Sequence, residues 1–486
     1  MGEYLLVVDE GTTSTRAMLF RPDGACVASE SAPLGQSYPR PGWVEHDAAE
    51  IWRRSLRIAG AMVAQAGGPE RIAAIGVTNQ RETVVFWDRD TGEPLAPAIV
   101  WQDLRTAGMC RKLAEAGHEA MVQERTGLLL DPYFSASKVG WAMREWPRLR
   151  EAGDRLLIGT VESWLVWKLT GGLHVTDATN ASRTALMDID AGRWDDGLVD
   201  LFGAPRGSLP EIVDCAGRFG ITRAFGPPIP IFGLAGDQQA ASIGQACLRP
   251  GETKATFGTG AFILTHTGAQ LLPSGHRLLS TVAWRLGGET AYALEGSVFV
   301  AGSLVQWLRD SLRLIESAPE TERLAREVHD NGGVYVVPAL SGLGAPHWRP
   351  EARAAISGLS FASTRAHVAR AALEAQSHQA HDLKEAFAAD GQDWESLRID
   401  GGMVANEWMA QDLADMLGVT VERPRFAETT ALGAAMLAGV GCGLFADLKE
   451  ASAMRGEVER FEPGMGEDER AARLDGWRKA VEGVLR

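Results

Sequence analysis

The sequence predicts an α/β chain built in two related halves, and three observations carry that prediction. Short apolar runs such as Ala73-Ala74-Ile75-Gly76-Val77 and Leu156 through Val161 alternate with amphipathic helical segments, a pattern that packs helices on mixed sheets. Two glycine-threonine turns, Asp9-Glu10-Gly11-Thr12-Thr13-Ser14 and Phe257-Gly258-Thr259-Gly260, stand about half a chain apart, each between hydrophobic strands. The length, 486 residues, is room for roughly two to four domains.

Each element follows from local chemistry. Tyr4-Leu5-Leu6-Val7-Val8 leads into the first turn and Ala17-Met18-Leu19-Phe20 leads out, which reads as a hairpin. Glycine lets the backbone approach an anion, and exposed N–H groups and threonine hydroxyls then become donors for phosphate oxygens. Ile231-Phe232-Gly233-Leu234-Ala235-Gly236 reads as a buried strand ending at Asp237, with a helix over Gln238 to Gly244. The turn Leu248-Arg249-Pro250-Gly251-Glu252 is the best boundary, dividing the chain into residues 1–247 and 248–486. The second hairpin follows at once, entered through Ala255-Thr256 and left through Ala261-Phe262-Ile263-Leu264. One such turn in each half suggests a duplicated architecture that holds a polyphosphate between its lobes. Leu474, Trp477, Val481 and Val484 recur at helical spacing and predict a terminal helix docked on the core.

Composition narrows the function. With 45% hydrophobic and 23% charged residues the chain reads as globular, and its net charge of −15 argues against nucleic acid as a partner. A nucleotide needs only local donors and stays open. The weakly polar run from Ala431 to Phe445 is shorter than the ~20 residues of a spanning helix, so membrane insertion is not expected. The five cysteines lack CxxC spacing, which indicates neither zinc nor a disulfide framework. A cytoplasmic protein is expected. No GxxxxGK[ST] occurs, so the P-loop is not the template.

A series of longer segments, in one order along the chain, then carries a resemblance. They are Tyr38 to Asp47, Thr78-Asn79-Gln80-Arg81-Glu82-Thr83, Thr176 to Thr184, Gly236-Asp237-Gln238-Gln239, Gly342-Leu343-Gly344-Ala345-Pro346, Asp400-Gly401-Gly402 and Thr429-Thr430-Ala431-Leu432-Gly433. In these the chain resembles the FGGY carbohydrate kinase family, in particular its bacterial glycerol-phosphorylating members. The resemblance implies two ribonuclease H-like domains of the actin-like ATPase fold, with the active site in the cleft between them. It also implies ATP-dependent phosphorylation of glycerol to sn-glycerol 3-phosphate, with Mg²⁺ as cofactor, and a homo-oligomer, a dimer or tetramer.

Phosphoryl transfer to an alcohol needs a cradle and metal for the triphosphate, a base near the hydroxyl and a site that orients the acceptor. Asp237, at a strand end, can accept the alcohol proton; its bland reading is an N-cap for the helix from Gln238. Arg81 and Glu82 resemble the family's hydroxyl-binding pair, one donating and one accepting. Adjacent strand residues point to opposite faces, so the chain must already be turning there. The bland reading is a solvated loop ion pair. By resemblance, Tyr133 and Gln238 add polar contacts to the acceptor. Trp101 and Phe262 resemble two aromatics that close around a three-carbon triol, although each alone reads as ordinary core. On the nucleotide side, Thr12, Thr13, Ser14 and Arg16 match the first phosphate loop, and Gly258 and Thr259 the second. Asp9 matches the carboxylate that holds Mg²⁺, usually through water. Gly302 and Gln306 match further nucleotide contacts, and Gly402 and Asn406 those around the adenosine.

The sequence departs from the family at Glu10, where Gln is usual, and at Leu104, Arg349 and Glu351. A carboxylate at position 10 should repel phosphates unless it faces a cation. A glycine-basic loop for fructose 1,6-bisphosphate is rewritten in Phe219 to Pro228, and Gly466 stands where some relatives carry an acidic residue. The alternatives are a kinase of the same family for another short polyol or ketose, and a non-kinase ATPase of the same fold. The latter would have no use for Asp237, Arg81, Glu82 and Tyr133 together.

Overall fold

The computed structural model describes residues 2–349 and 351–486. It contains two mixed sheets laid out on the same plan. The first has six strands in the order Ile221–Thr222, Ile229–Gly236, Ile72–Asn79, Tyr4–Glu10, Ser14–Phe20 and Cys26–Pro33. Its central strand Tyr4–Glu10 pairs antiparallel with Ser14–Phe20 and parallel with Ile72–Asn79, which is parallel in turn to Ile229–Gly236. The second has seven strands: Leu279–Leu286, Glu289–Val298, Ala261–Gly268, Thr253–Phe257, Ser396–Asp400, Thr420–Pro424 and Val458–Phe461. Here too a hairpin strand, Thr253–Phe257, pairs antiparallel with the next strand and parallel with a late one, Ser396–Asp400. Each glycine-threonine turn is therefore the tip of the central hairpin of its sheet.

Alternation along Tyr4–Glu10 decides what lies on each face. Leu6 and Val8 pack with the helix Ala48–Ala66 through Ile51, Ile58 and Met62. Leu5 and Val7 pack with Ala431, Ala434 and Met436 of the helix Thr429–Gly441. Both faces are covered, so the strand is apolar on both sides. Chain order and packing part company at this second helix, because it follows six of the second sheet's seven strands in sequence yet lies on the first sheet. It crosses the helix Asp237–Gly244 at glycines. A Cβ on Gly433 would lie 1.8 Å from the Ala240 carbonyl oxygen, and one on Gly244 would lie 2.0 Å from that of Thr429. Only glycine permits that approach.

Two boundaries differ from the sequence reading. The strand from Leu156 ends at Gly159, and Val161 already begins a helix, Val161–Thr170. The helix expected from Gln238 starts one residue earlier, so Asp237 is its first residue and Gly236 occupies the cap position. The terminal helix, Glu467–Leu485, buries Leu474, Trp477 and Val481 as its spacing predicted. Among the described residues no helix is long and apolar enough to cross a membrane.

Candidate active site

The strand Ile72–Asn79 ends just short of Arg81, and Glu82 has a φ of 63°. The chain is thus turning where the two charged residues follow each other. They are not a solvated loop pair: both are 2% exposed. The Arg81 guanidinium is surrounded. Its Nη1 donates to Glu295 Oε2 at 2.6 Å, its Nη2 to Tyr133 Oη at 3.4 Å, and its Nε lies 3.3 Å from Asp237 Oδ1. Glu82 accepts from Arg183 Nε at 2.7 Å, and Arg183 Nη2 donates to Glu295 Oε1 at 2.9 Å. Two arginines and two glutamates therefore interlock, with opposite charges satisfying one another away from water. Burial by itself would raise the Glu295 carboxyl, but Arg183 and Arg81 overcome it and hold it down at about 2.

Sequence reasoning assigned no role to Glu295 and met Arg183 only as part of the segment Thr176 to Thr184. The structure explains that segment. Asp177 caps the short helix Ala178–Ser182 by accepting from Thr179 N, and Asn180 exchanges amide hydrogen bonds with Asn79 at 3.1 and 2.9 Å. Thr179 Oγ1 accepts from Gly236 N at 2.9 Å, next to Asp237. The segment thus carries Arg183 and braces the ends of two strands. A buried glutamate four residues before Phe299 could have been flagged by its apolar surroundings, Ala293-Leu294-Glu295-Gly296.

Asp237 is not a helix cap; its Oδ1 accepts from Gln238 N at 2.7 Å and faces Arg81. Its side chain is 29% exposed, unlike the quartet beneath it. Burial raises its carboxyl, while Arg81 and Lys254 pull it back toward the charged form. Around these groups stand the aromatics. The Trp101 and Phe262 rings face each other edge to face with centroids 6.0 Å apart, and Trp101 lies 5.6 Å from Tyr133. Trp101 Nε1 also donates to Thr12 Oγ1 at 2.9 Å, which ties the aromatic wall to the first turn.

That first turn is closed by Gly11 N donating to Ser14 O and held to the Arg81 segment by Gln80 Nε2 donating to Gly11 O at 3.1 Å. Thr13 is exposed and Ser14 partly so, leaving their hydroxyls and amides available. Arg16 pairs with Glu428 at the start of the helix Thr429–Gly441. Asp9 and Glu10 part to opposite faces of their strand. Glu10 lies on the Leu6–Val8 face, fully buried, and accepts from Ser55 Oγ at 2.7 Å. Burial raises its carboxyl to about 8, so near neutral pH it is an uncharged acid and the expected repulsion of phosphates does not arise. Asp9 lies on the other face, where burial raises it to about 7 with Glu428 and Asp237 adding to the rise and Arg16 opposing it.

The second turn is built like the first. Gly258 N donates to Gly260 O at 2.9 Å, and the helix Gly302–Asp310 docks beneath it. Gly302 N donates to Gly258 O at 2.9 Å and Ala301 N to Thr259 O at 2.9 Å; a Cβ at Gly302 would lie 2.6 Å from Gly258 O. Gln306, one turn along this helix, is exposed. Gly402 borders open space beside Met403, whose side chain approaches Gly302. Gly258, Thr259, Gly302 and Gly402 thus gather on one side. Asn406 is engaged otherwise: its side chain caps the helix Glu407–Leu417 by accepting from Met409 N at 2.9 Å.

Two lobes of one plan, each offering an amide-lined turn, with a carboxylate beside a walled polar floor, define a small-molecule phosphotransferase. The comparisons with known proteins specify it. The FGGY family of carbohydrate kinases, N-terminal domain, matches residues 4–244, and its C-terminal domain matches residues 253–442. The chain belongs to this family and is a kinase. It is 53% identical to the glycerol kinase of Methylobacterium nodulans over 99% of this chain and 98% of that one. To the glycerol kinase of Rhodospirillum rubrum it is 54% identical over 99% of both. A crystal structure of Plasmodium falciparum glycerol kinase with ADP superposes with a TM-score of 0.92 at 35% identity, covering 100% of this chain and 99% of that one.

Proposed function

We propose that this kinase transfers the γ-phosphoryl group of ATP to glycerol, giving sn-glycerol 3-phosphate. The observation that carries the reading is the pair of rings, Trp101 and Phe262, closing at 6.0 Å over the polar floor of Arg81, Glu82 and Asp237. These two rings touch each other and wall that floor, which leaves little room for a five- or six-carbon sugar and suits a three-carbon chain with vicinal hydroxyls; the relatives named glycerol kinase support the same substrate. In this reading the Arg81 guanidinium donates to a hydroxyl, Glu82 and Tyr133 orient its neighbour, and Gln238 completes the contacts. Asp237 accepts the proton of the attacking hydroxyl as the bond to phosphorus forms. Burial raises this carboxyl, as suits a base that must take up a proton, while Arg81 and Lys254 favour its charged form.

The two turns would grip the triphosphate, Thr12, Thr13, Ser14 and Arg16 from one side and Gly258 and Thr259 from the other. Gly302, Gln306, Gly402 and Asn406 would lie along the nucleoside, Asn406 through whatever its cap leaves free. Mg²⁺ fits at Asp9, because no described residue hydrogen-bonds that carboxylate and burial disfavours leaving it uncompensated. Bound there, the ion would neutralise charge on the phosphate oxygens. The domain division at 247/248 belongs to the same reading, as does a cytoplasmic site of action.

A coupled ADP-release assay across glycerol, erythritol, ribitol, xylulose and dihydroxyacetone tests the substrate. Highest kcat/KM for glycerol is expected; a pentulose preferred over glycerol would refute the closed-pocket argument.

A further inference from the structure

Lys254, on the strand Thr253–Phe257, is fully buried, and no step described above uses it. A buried ammonium must be hydrogen-bonded or give up its proton. The Lys254 Nζ donates to the Gln238 side-chain oxygen, to Thr256 Oγ1 at 2.9 Å and to the Phe262 carbonyl oxygen at 3.5 Å. Its three donors thus meet three acceptors, drawn from the helix Asp237–Gly244 and from both strands of the second hairpin.

The consequence falls on Gln238. An ammonium has no acceptor, so the amide has to turn its oxygen toward Lys254 and its Nε2 away. No described residue accepts from that Nε2. We propose that Lys254 is a positioning residue for the phosphoryl acceptor: it pins the Gln238 amide so that only N–H donors face the acceptor hydroxyls, and it locks that contact to the strand carrying Phe262. The proposal rests on the reading of this cleft as the polyol site. A donor-only amide takes a hydroxyl's lone pair and leaves the hydroxyl proton for Asp237. A flipped amide would present its oxygen and compete with Asp237 for that proton.

The pin is titratable. Burial lowers Lys254 to about 8; Asp400 opposes the fall, Arg81 adds to it, and Glu295 and Asp237 oppose it. Those groups face it from the strand Ser396–Asp400, the turn after Ile72–Asn79, the strand Glu289–Val298 and the helix Asp237–Gly244. Above that pH the side chain becomes an amine, which accepts as well as donates, and the amide is free to turn.

Steady-state kinetics of the full chain between about pH 6.5 and 9.5, varying acceptor and ATP separately, test this. The wild type should show a KM for the acceptor that rises about tenfold from pH 7 to 9.5, the scale of one hydrogen bond to a charged group, with the KM for ATP nearly constant. Lys254→Met should raise the acceptor KM about tenfold already at pH 7 and flatten its alkaline rise. Lys254→Arg, which keeps its charge throughout, should restore a lower KM and hold it to high pH. An acceptor KM in the wild type that stays flat to pH 9.5 overturns the proposal even if the methionine variant fails to fold. So does a methionine variant that loses acceptor and ATP affinity equally, since that marks a merely structural lysine. The series is run on whichever acceptor the wild type phosphorylates best, so a substrate other than glycerol refutes the substrate reading without deciding the role of Lys254.

Discussion

At Asp237, one atom contact separates a capping residue from the proposed base. The carboxylate faces Arg81 at 3.3 Å and keeps partial exposure, whereas a cap would turn its oxygens to the amides of the next helical turn. Asp237→Asn keeps the shape and loses the basicity. It should bind nucleotide normally and lower kcat by roughly 10²–10⁴, the range of general-base contributions, measured by ADP release and by nucleotide titration. Near-normal turnover would demote the residue. Glu10 gives a residue-scale prediction about stability. Burial holds its carboxyl at about 8 in the folded chain against the ordinary 4.5 of a glutamate, so the folded state keeps a proton that the unfolded state releases. Its contribution is therefore fully present below pH 4.5 and is lost as pH rises toward 8. Glu10→Gln, which cannot titrate, should gain on the wild type across that window, by on the order of 3 kcal/mol near pH 7. Denaturant unfolding at several pH values measures the gap; a constant difference from pH 5 to 8 would show that Glu10 does not titrate as argued.

The proposed acceptor wall is a property of two elements. Phe262 stands on the hairpin strand Ala261–Gly268, opposite Thr256, and Trp101 follows the strand Ala98–Ile99 of the other half. Neither strand alone forms the wall. Phe262→Ala and Trp101→Ala should each raise the KM for glycerol and narrow the preference for it over erythritol. A methylene-sized change in such a pocket is worth about 1–3 kcal/mol, so the relaxation should be graded. Competition kinetics with the two polyols would measure it, and an unchanged selectivity ratio in both variants would remove the wall from the specificity argument. Trp101 differs from Phe262 in one respect. Its indole N–H holds Thr12, so its loss should also weaken ATP binding.

Across the whole molecule, the two lobes already meet at the proposed acceptor floor. Glu295 of the second sheet is buried between Arg81 and Arg183 of the first half, and separating them would strip partners from three buried charges. The segment Leu248 to Glu252 is also tied down, because Glu252 accepts from the amides of Leu248 and Arg249 and pairs with Arg398. Motion of one lobe against the other should therefore open the nucleotide side, where the two turns lie in different halves, and leave the acceptor side closed. Closure there would exclude water, which competes with glycerol for the phosphoryl group. Small-angle scattering should give a smaller radius of gyration with glycerol and a non-hydrolysable ATP analogue than without ligands. An unchanged radius, together with a closed ligand-free crystal structure, would count decisively against this motion.

What is local was legible in the residues. Apolar runs beside glycine turns fixed the two hairpins, and alternation of strand and helix fixed the α/β class. The apolar strand Ile229–Gly236 delivered Asp237 to its end, and the 3.6-residue spacing of Leu474, Trp477 and Val481 fixed the terminal helix. These follow from backbone preferences and burial within one segment. Only the tertiary structure decided the rest. Glu295 reaches Arg81 across 214 positions and Arg183 across 112, and no local pattern encodes such a partner. The same holds for the glycine crossing of Gly244 and Gly433, and for the helix Thr429–Gly441 lying on the sheet of the other half. Glu10 looked like a charge beside the phosphates because its neighbours match the family's phosphate loop. It is a neutral acid because the strand turns it to the face covered by the helix Ala48–Ala66, where water cannot solvate a carboxylate.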